Sequence, residues 1–368
     1  MRTRRQALAA IGGLAAACRR GRPGGYTGRV IVASAAESVL GVVDLARFAF
    51  ERSLPLPSPA TALIAARGLV YALCPRARTI SVIDAATLNP RARLRLPGEP
   101  ATALMKQGRL WVLLSSPPRL VSLDLDPLRL RPGISLTGRP LSLDVADTQP
   151  LACVALDGGQ LLFVDLQNRL PLPPRLVDDR LGAVRFRSDG RLAIAAGLGR
   201  RQLILIDSAT RGVVVQLPLA VVPERLCFSR DGGQLFITGE GSDSVVICYP
   251  YRTEIAQTSL SGRKPGEMAA CAEPPLLLVS NPQAGSVTAF SIAEQRVAAV
   301  VGVGTDPGPI IITPDEEFAL VLNRGSHDMA VIRIPAIPVD TRRRRTAPLF
   351  TMIPVVPRPA AAVFVPAG

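Results

Sequence analysis

The sequence contains one histidine, His327, and its Phe, Tyr and Trp residues together make up only 4% of the chain. Zinc and copper sites of the common kinds need several imidazoles or a cluster of thiolates, and the six cysteines include no Cys-x-x-Cys pair. A single tryptophan gives little support to a sugar-stacking surface or to a Trp-rich site for a quinone cofactor. The sequence therefore predicts no metal site and no bound cofactor.

Helix signals are also scarce, and the hydrophobic residues, 48% of the chain, fall in short runs of Val, Leu, Ile and Ala. Residues 190–231 hold four such runs, RLAIAAG, QLILID, VVVQLPL and ERLCFS, separated by turn residues. Poorer copies recur at a period of about 42 residues, which is typical of the blades of a β-propeller. One small sheet cannot bury both of its faces alone, so the copies are expected to pack against one another.

The third strand of the repeat is the easiest to count, and it occurs eight times between SVLGVVDL near the N-terminus and DMAVIRIP near the C-terminus. Residues 29–368 are therefore predicted to form one all-β domain, a single β-propeller of eight four-stranded blades. Seven blades with one irregular unit is the alternative, because residues 107–181 match the repeat poorly. An apolar segment, residues 360–366, remains after the eighth unit, and we expect it to pair within the first blade and close the ring.

The first 18 residues, MRTRRQALAAIGGLAAAC, have a charged start, a short apolar run and small residues at the end, as in an export signal. The apolar run is too short for an ordinary membrane span. Thr3-Arg4-Arg5 and Leu8 resemble a twin-arginine export pattern. We therefore expect an exported protein of the periplasm or the cell surface. A cofactor inserted before twin-arginine export is an alternative, which a spectrum and a metal analysis of native protein would test.

Cys18 follows three alanines, an arrangement that resembles a bacterial lipobox. In that pattern Cys18 would be lipidated and would anchor the chain to the membrane through a flexible tether, residues 19–28. Simple cleavage after Ala17, without lipidation, is the alternative. Membrane attachment is thus expected to depend on acylation of Cys18.

Basic residues outnumber acidic ones by 43 to 29, and the formal net charge is +14. Such an excess favours anionic partners or surfaces. Arg342 to Arg345 form a compact run that is either an exposed loop or a contact for acidic lipid, cell-wall polymer or protein. Nucleic acid is not an expected partner, because an exported chain without stacking aromatics or a recognition helix lacks the usual features. We expect a monomer.

The segment DPGPIIITPDEEFALVLNRGSHDMAVIRI, residues 306–334, joins a Pro-rich turn, a Thr-Pro-Asp turn and two apolar strands. SRDGGQLFITG, and LLLVSN followed by SVTAFSI, are further copies. This pattern resembles the YVTN-type β-propeller repeat family over residues 29–366, most closely in residues 182–335. The resemblance implies an exported, surface-associated propeller but no shared catalytic set, since a fold does not determine a function.

In a propeller, the loops that enter the innermost strands and those between the second and third strands of each blade meet at one mouth of the central channel. Several guanidinium groups converging there would bind a carboxylate, phosphate or sulfate, whereas solvated turn charges are the other interpretation. The candidate ligand-binding residues in these loops are Arg139, Arg200, Arg201, Arg263, Lys264 and Arg324.

An active site at the same mouth is the alternative function. His327, with Arg324 and Asp306, would then serve a propeller hydrolase or lactonase, although the sequence has no nucleophile elbow. As a plain loop residue, His327 would have no such role. The predicted function is a non-catalytic, exported and membrane-anchored binding platform for a protein or for an anionic small ligand or polymer.

Recurring residues point to structural roles. Four aspartates lie near the ends of the third strands: Asp84, Asp124, Asp165 and Asp207. Because they recur from blade to blade, we expect them to cap turns. The cysteines after Cys18 lie in apolar runs and are predicted to be buried. Because export permits disulfides, a bond between Cys227 and Cys248 is the alternative.

Overall fold

The computed structural model describes residues 27–338 and 347–366. These residues form eight antiparallel sheets of four or five strands, and each sheet is one blade of a β-propeller. Within the described residues the helices are two short 3-10 turns, Asp157–Gly159 and Ile334–Ala336. None of the helices in these ranges is long and apolar enough to cross a membrane. The prediction of an all-β propeller of eight blades is confirmed, and the seven-blade alternative is wrong.

The strands are numbered in chain order. Blade 1 contains β1 (Gly28–Ser34), β2 (Val39–Asp44), β3 (Ala49–Pro55) and β34 (Pro359–Pro366). Blade 2 contains β4 (Ala62–Ala66), β5 (Leu69–Cys74), β6 (Thr79–Asp84) and β7 (Pro90–Arg95). Blade 3 contains β8 (Glu99–Lys106), β9 (Arg109–Ser116), β10 (Pro118–Leu125), β11 (Leu128–Leu130) and β12 (Ile134–Ser135). Blade 4 contains β13 (Pro140–Val145), β14 (Leu151–Leu156), β15 (Gln160–Asp165), β16 (Leu170–Pro171) and β17 (Arg175–Leu176).

The second half of the ring is more regular. Blade 5 contains β18 (Leu181–Phe186), β19 (Leu192–Gly197), β20 (Gln202–Asp207) and β21 (Val213–Pro218). Blade 6 contains β22 (Arg225–Phe228), β23 (Leu235–Thr238), β24 (Ser244–Tyr249) and β25 (Glu254–Leu260). Blade 7 contains β26 (Met268–Ala270), β27 (Leu276–Asn281), β28 (Ser286–Ser291) and β29 (Arg296–Gly302). Blade 8 contains β30 (Pro307–Ile312), β31 (Phe318–Asn323), β32 (Asp328–Arg333) and β33 (Leu349–Pro354).

The C-terminal strand β34 closes the ring. It pairs antiparallel with β1, with Val30 opposite Phe364 and Val32 opposite Ala362, and so becomes the first strand of blade 1. The first strands of neighbouring blades contact one another around the ring and line the central channel. The expectation that residues 360–366 pair within the first blade is confirmed, and the pairing removes an open edge from each end of the chain.

The core lies between blades, because alternate residues of a strand face opposite sides of its sheet. On β19, Ala193 and Ala195 pack in a cluster that includes Phe163 of blade 4. Ile194, between them, packs on the other side with Ile237 of blade 6. Each blade thus buries both faces against its two neighbours, as the repeat pattern predicted.

Blades 3 and 4 explain why residues 107–181 match the repeat poorly. In each, the outer edge of the sheet is split into two short strands, β11 and β12 in blade 3 and β16 and β17 in blade 4. The inner three strands keep the antiparallel pairing of the other blades. The degraded pattern therefore reflects broken outer strands and not a missing blade.

The recurring aspartates cap turns in three of the four predicted cases. The carboxylate of Asp207 accepts hydrogen bonds from the amides of Ala209 and Thr210, at 3.1 and 2.7 Å. Asp84 and Asp165 bind the amides two and three residues further on in the same way. These hydrogen bonds, with Thr210 the largest cause at Asp207, hold the pKa of each carboxyl below its usual value.

Asp124 does not cap a turn, so the prediction is wrong there. The residue three positions on is Pro127, which has no N–H to donate. The Asp124 carboxylate instead binds Arg131 at 2.5 Å and Arg109 at 3.3 Å. The proline in this two-residue turn removes a backbone N–H that the carboxylate would bind, and Asp124 forms ion pairs instead.

The five cysteines in the described residues are all free, and Cys227 and Cys248 form no disulfide. Four are buried and Cys227 is partly buried, which agrees with their prediction as core side chains. Burial raises the pKa of Cys248 and of Cys271 to about 12. These thiols are therefore protonated at neutral pH and are poor nucleophiles.

Candidate functional site: the mouth and interior of the channel

All the sequence-predicted site residues that the structure describes lie at one end of the channel. Arg139, Arg263, Lys264 and Asp306 precede first strands, and Arg200, Arg201, Arg324 and His327 lie in turns between second and third strands. Strands alternate in direction within each blade, so these two kinds of loop emerge at the same end. We call this end the mouth face.

A cavity of about 310 Å³ opens on the mouth face between blades 6, 7 and 8 and is called the mouth cavity. Among the predicted residues, Lys264, Arg324 and Asp306 line it. The other charged residues of its lining are Glu224, Arg225 and Glu267. The structure thus brings together part of the predicted set and adds charged groups from the starts of blades 6 and 7.

Arg324 is positioned by the backbone of the neighbouring loop. Its amide donates to the carbonyl of Asp306 at 3.0 Å, which ties the turn of blade 8 to the loop that enters β30. A Cβ at Gly308 would lie 2.7 Å from the Arg324 guanidinium carbon, so any other residue at position 308 would displace the guanidinium. Within the described residues the half-buried Arg324 forms no salt bridge.

A hydrogen bond holds the backbone of Lys264 in place, whereas its ammonium group has no partner in the described residues. Its amide donates to the carboxylate of Asp243 at 2.9 Å, and its φ is 56°. The side chain is exposed and forms no ion pair with the part of the chain that is described. The mouth cavity therefore has two cations that form no ion pair with the described residues.

Acidic groups share the same cavity. Arg225 and Glu267 form a salt bridge of 2.8 Å, so these two charges cancel locally. Glu224 and Asp306 have no cation within ion-pair distance in residues 27–338 and 347–366. The mouth cavity therefore displays separated charges of both signs and not a uniformly positive surface.

The remaining predicted cations lie outside the mouth cavity. Arg139, Arg200, Arg201 and Arg263 are exposed and do not belong to its lining. Arg200 lies 3.4 Å from Asp179, and both side chains are well exposed. The structure therefore separates these four residues from Lys264 and Arg324, although all six share one face.

His327 is a turn residue beside the closing segment of the ring. Its Nδ1 accepts a hydrogen bond from the Arg358 amide at 3.1 Å, and its carbonyl accepts one from Val355 at 3.0 Å. Its φ of 60° matches the value of 51° at Arg78 and Arg201, which occupy the equivalent turns of blades 2 and 5. His327 is exposed and is not part of the mouth cavity, which Asp306 and Arg324 line.

Sequence reasoning missed the charged residues inside the channel. A second cavity, of about 690 Å³, lies between the first strands of blades 3 to 7 and is called the channel cavity. Asp144 on β13, Arg185 on β18 and Arg225 on β22 line it. The available signal was a single charged residue within an otherwise apolar first strand, as in PLSLDV and LGAVRF.

Asp144 is the most buried of these charged groups, with 7% of its surface exposed. Its two oxygens accept the amides of Phe186 at 2.7 Å and Val145 at 2.9 Å. Burial is the main influence and raises the pKa of this carboxyl, while the hydrogen bond from Phe186 and the charge of Arg185 oppose it. Asp144 is therefore a structural acceptor in the channel wall.

The described ranges contain no group of three or more His, Cys, Asp or Glu residues that could hold a metal ion. Cys227 lines the channel cavity, but burial raises the pKa of its thiol to about 11. A protonated thiol at neutral pH is neither a good ligand nor a good nucleophile.

Several sequence predictions lie outside the described residues. These are the export signal of residues 1–18, the twin-arginine pattern, Cys18, the tether up to residue 26, and Arg342 to Arg345. They stay predictions.

No family model and no curated protein matches the chain. Solved structures do match: dihydro-heme d1 dehydrogenase NirN in complex with DHE has a TM-score of 0.73 at 16% identity, over 92% of this chain and 75% of that one. AztD of Citrobacter koseri has a TM-score of 0.70 at 13% identity, over 93% and 99%. The computationally designed protein Ika8 has a TM-score of 0.64 at 10% identity, over 80% and 86%. Neighbours with such low identity show the fold alone, and that fold is the β-propeller.

Proposed function

We propose that this chain is an exported, membrane-anchored and non-catalytic β-propeller that serves as a binding platform for a protein or an anionic ligand. The observation that carries the proposal is the mouth cavity, where Lys264 and Arg324 form no ion pair with any described residue. The backbones of both residues are held by hydrogen bonds in the ring, so the main chain needs little reorganisation on binding, which lowers the cost of association.

The mixture of charges favours a protein partner at the mouth. Glu224 and Asp306 are unpaired in the same cavity as Lys264 and Arg324. A surface with separated charges of both signs selects a partner by complementary charges. We therefore assign the mouth face to a protein with charges of both signs.

The absence of catalysis is supported by the state of the candidate nucleophiles and bases. The Nδ1 atom of His327 is occupied by the Arg358 amide, and the thiol of Cys227 has a raised pKa. If His327→Ala removed a hydrolytic activity from purified protein while thermal unfolding stayed unchanged, the non-catalytic proposal would be wrong. The hydrolase would then be the function.

Export and anchoring rest on the sequence of residues 1–18. A lipidated Cys18 would retain the protein in the membrane fraction, and Cys18→Ala would release it or prevent its maturation. Fractionation of the native host, with mass analysis of the mature N-terminus, tests this part of the proposal. A soluble wild-type protein cleaved after Ala17 would contradict the anchor but not the platform.

We also propose a relationship to the YVTN-type repeat family. Its support is a shared turn: the Ser229 hydroxyl binds the Asp231 carboxylate and accepts the Gln234 amide, and the Thr313 hydroxyl makes the equivalent bonds in blade 8. These turns correspond to the Ser-Arg-Asp and Thr-Pro-Asp motifs of the repeats. The relationship would fail if an alignment of close relatives did not retain these motifs.

Charge reversal at the mouth tests the platform directly. The wild-type protein and the Lys264→Glu/Arg324→Glu variant are each cross-linked in the native envelope and purified, and their partners are identified. The matched control is Arg200→Glu, which reverses an exposed charge on the same face outside the cavity. We expect the double variant to lose a partner that the wild type and the control retain; equal recovery from all three would contradict the proposal.

A further inference from the structure

The channel cavity adjoins the mouth cavity, and the two share Glu224, Arg225 and Glu267 in their linings. Its volume of about 690 Å³ lies within the range of small-molecule sites, and first strands form most of its walls, with loop residues at their ends. A site on such walls is largely formed before the ligand arrives. The question is which chemistry the walls would recognise.

The cations of the channel cavity are not equivalent. Three of the four are neutralised: Lys106 by Asp147 at 2.5 Å, Arg225 by Glu267 at 2.8 Å, and Arg230 by Glu316 at 3.6 Å. The fourth, Arg185, forms no ion pair within residues 27–338 and 347–366. Its one protein hydrogen bond there runs from Nη1 to the carbonyl of Val184 at 2.9 Å, although a guanidinium has five N–H donors.

Asp144 is not an ion-pair partner of Arg185. It lies beyond ion-pair distance of Arg185, and its oxygens are occupied by the amides of Phe186 and Val145. Burial also raises the pKa of Asp144, which disfavours its charged form. Within residues 27–338 and 347–366 Arg185 therefore has no ion-pair partner, although the charge of Asp144 acts on it through space. On a half-buried wall, a bidentate carboxylate contact is stronger than in water.

The wall of the channel cavity also contains apolar surface. Leu141, 42% exposed, lies at a bulge of β13 and lines the cavity, and Leu226, Phe228 and Met268 are half-buried in its lining. An exposed leucine inside a channel is suited to packing against hydrocarbon. Glu224 and Asp231 also line the cavity and form no ion pair within residues 27–338 and 347–366, so they would repel a second negative charge.

We propose that the channel cavity binds a small organic monocarboxylate, whose carboxylate is held by Arg185 and whose hydrocarbon part packs against Leu141. The site deepens the proposed function, on which it rests, by naming an anionic ligand class inside the ring. The proposed contact depends on Arg185, which does not line the mouth cavity.

The test is calorimetric titration of the intact protein with 1-naphthoate, with the neutral 1-naphthalenemethanol as the matched probe. We expect one naphthoate per chain and a loss of affinity of at least about tenfold for Arg185→Leu, because the fork of hydrogen bonds is lost. Arg185→Lys should bind with intermediate affinity, because it keeps the charge but not the fork. The neutral probe should bind at least about tenfold more weakly than naphthoate.

Two further variants separate the site from its surroundings. Leu141→Glu adds a negative charge without changing Arg185 and should weaken naphthoate binding similarly. Arg200→Leu, an exposed arginine outside both cavities, should bind as the wild type does. Equal thermal unfolding curves establish that the variants are folded.

The outcomes distinguish this inference from the platform proposal. Equal affinity of wild type and Arg185→Leu, or no binding by the wild type, would overturn the channel site. Loss of naphthoate binding in Lys264→Glu/Arg324→Glu but not in Arg185→Leu would also overturn it and leave the mouth proposal intact. Loss in Arg185→Leu alone supports the channel site even if no partner binds at the mouth.

Discussion

The Asp144 carboxylate on β13 lies 2.7 Å from the amide nitrogen of Phe186 on β18, and this hydrogen bond joins blades 4 and 5. Two residues earlier, the Ser142 hydroxyl accepts the Val184 amide at 3.2 Å. First strands lie at the inner edge of their sheets, so amides on that edge need acceptors from outside the blade. Side chains of one blade supply them to the next and thereby set the position of Arg185.

Replacing Asp144 tests this contact. Asp144→Ala leaves the buried Phe186 amide without its acceptor, and we expect a loss of about 1–3 kcal/mol in the free energy of unfolding. Asp144→Asn keeps an acceptor oxygen and should cost less. Urea unfolding measures both, with Asp179→Ala, an exposed acid, as a control that changes stability by less than about 0.5 kcal/mol. Equal stability of Asp144→Ala and the control would contradict the role of the contact.

Asp144 should also affect the pH dependence of stability. Its pKa in the folded protein is raised by burial above the usual 3.8, so folding favours the protonated form. Its contribution is therefore largest below pH 3.8 and is lost as the pH rises through the raised value. Relative to Asp144→Asn, the wild type should become less stable over this rise. A constant difference between the two proteins would show that the pKa is not raised.

The turn aspartates should have the opposite effect. Hydrogen bonds from turn groups lower the pKa of Asp84, Asp165 and Asp207, so their contribution is present above the usual 3.8 and is lost as the pH falls through the lowered values. A triple Asp→Asn variant should show a flatter acid limb in a plot of unfolding free energy against pH. An unchanged acid limb in the triple variant would contradict the capping role.

Closure of the ring is tested by ending the chain after Val355. This removes β34, exposes the unpaired edge of β1 and leaves blade 1 without its first strand. We expect the shortened protein to aggregate or to be digested rapidly by protease. A well-folded, protease-resistant monomer would show that closure by β34 is not required.

The sequence allowed the architecture to be predicted because each part of the pattern has a local cause. Strand alternation, turn residues and a spare final segment were enough to place β34 beside β1. Which charged residues form ion pairs, and which line a cavity, could not be predicted from the local pattern. Lys264 and Arg139 both precede a first strand, but only Lys264 lines the mouth cavity, because that depends on how loops of different blades approach.

The interior of the channel was missed for a related reason. Arg185 is one charge in an apolar run, and whether it is paired depends on acids contributed by neighbouring blades. Asp124 shows that the prediction of a cap can fail even within one turn. Pro127 has no N–H for the carboxylate to bind, and Asp124 forms ion pairs instead. Local rules predict strands and caps, whereas sites between blades require the geometry of the ring.

Recognition of a partner by the charges of the mouth cavity is measured by calorimetry, in which the partner recovered by cross-linking is titrated into wild type, Lys264→Glu/Arg324→Glu and Arg200→Glu. We expect the double variant to raise the dissociation constant by at least about tenfold and Arg200→Glu to leave it unchanged. The wild-type affinity should fall with added salt. Equal dissociation constants for all three proteins, or a loss confined to Arg200→Glu, would contradict recognition by these charges.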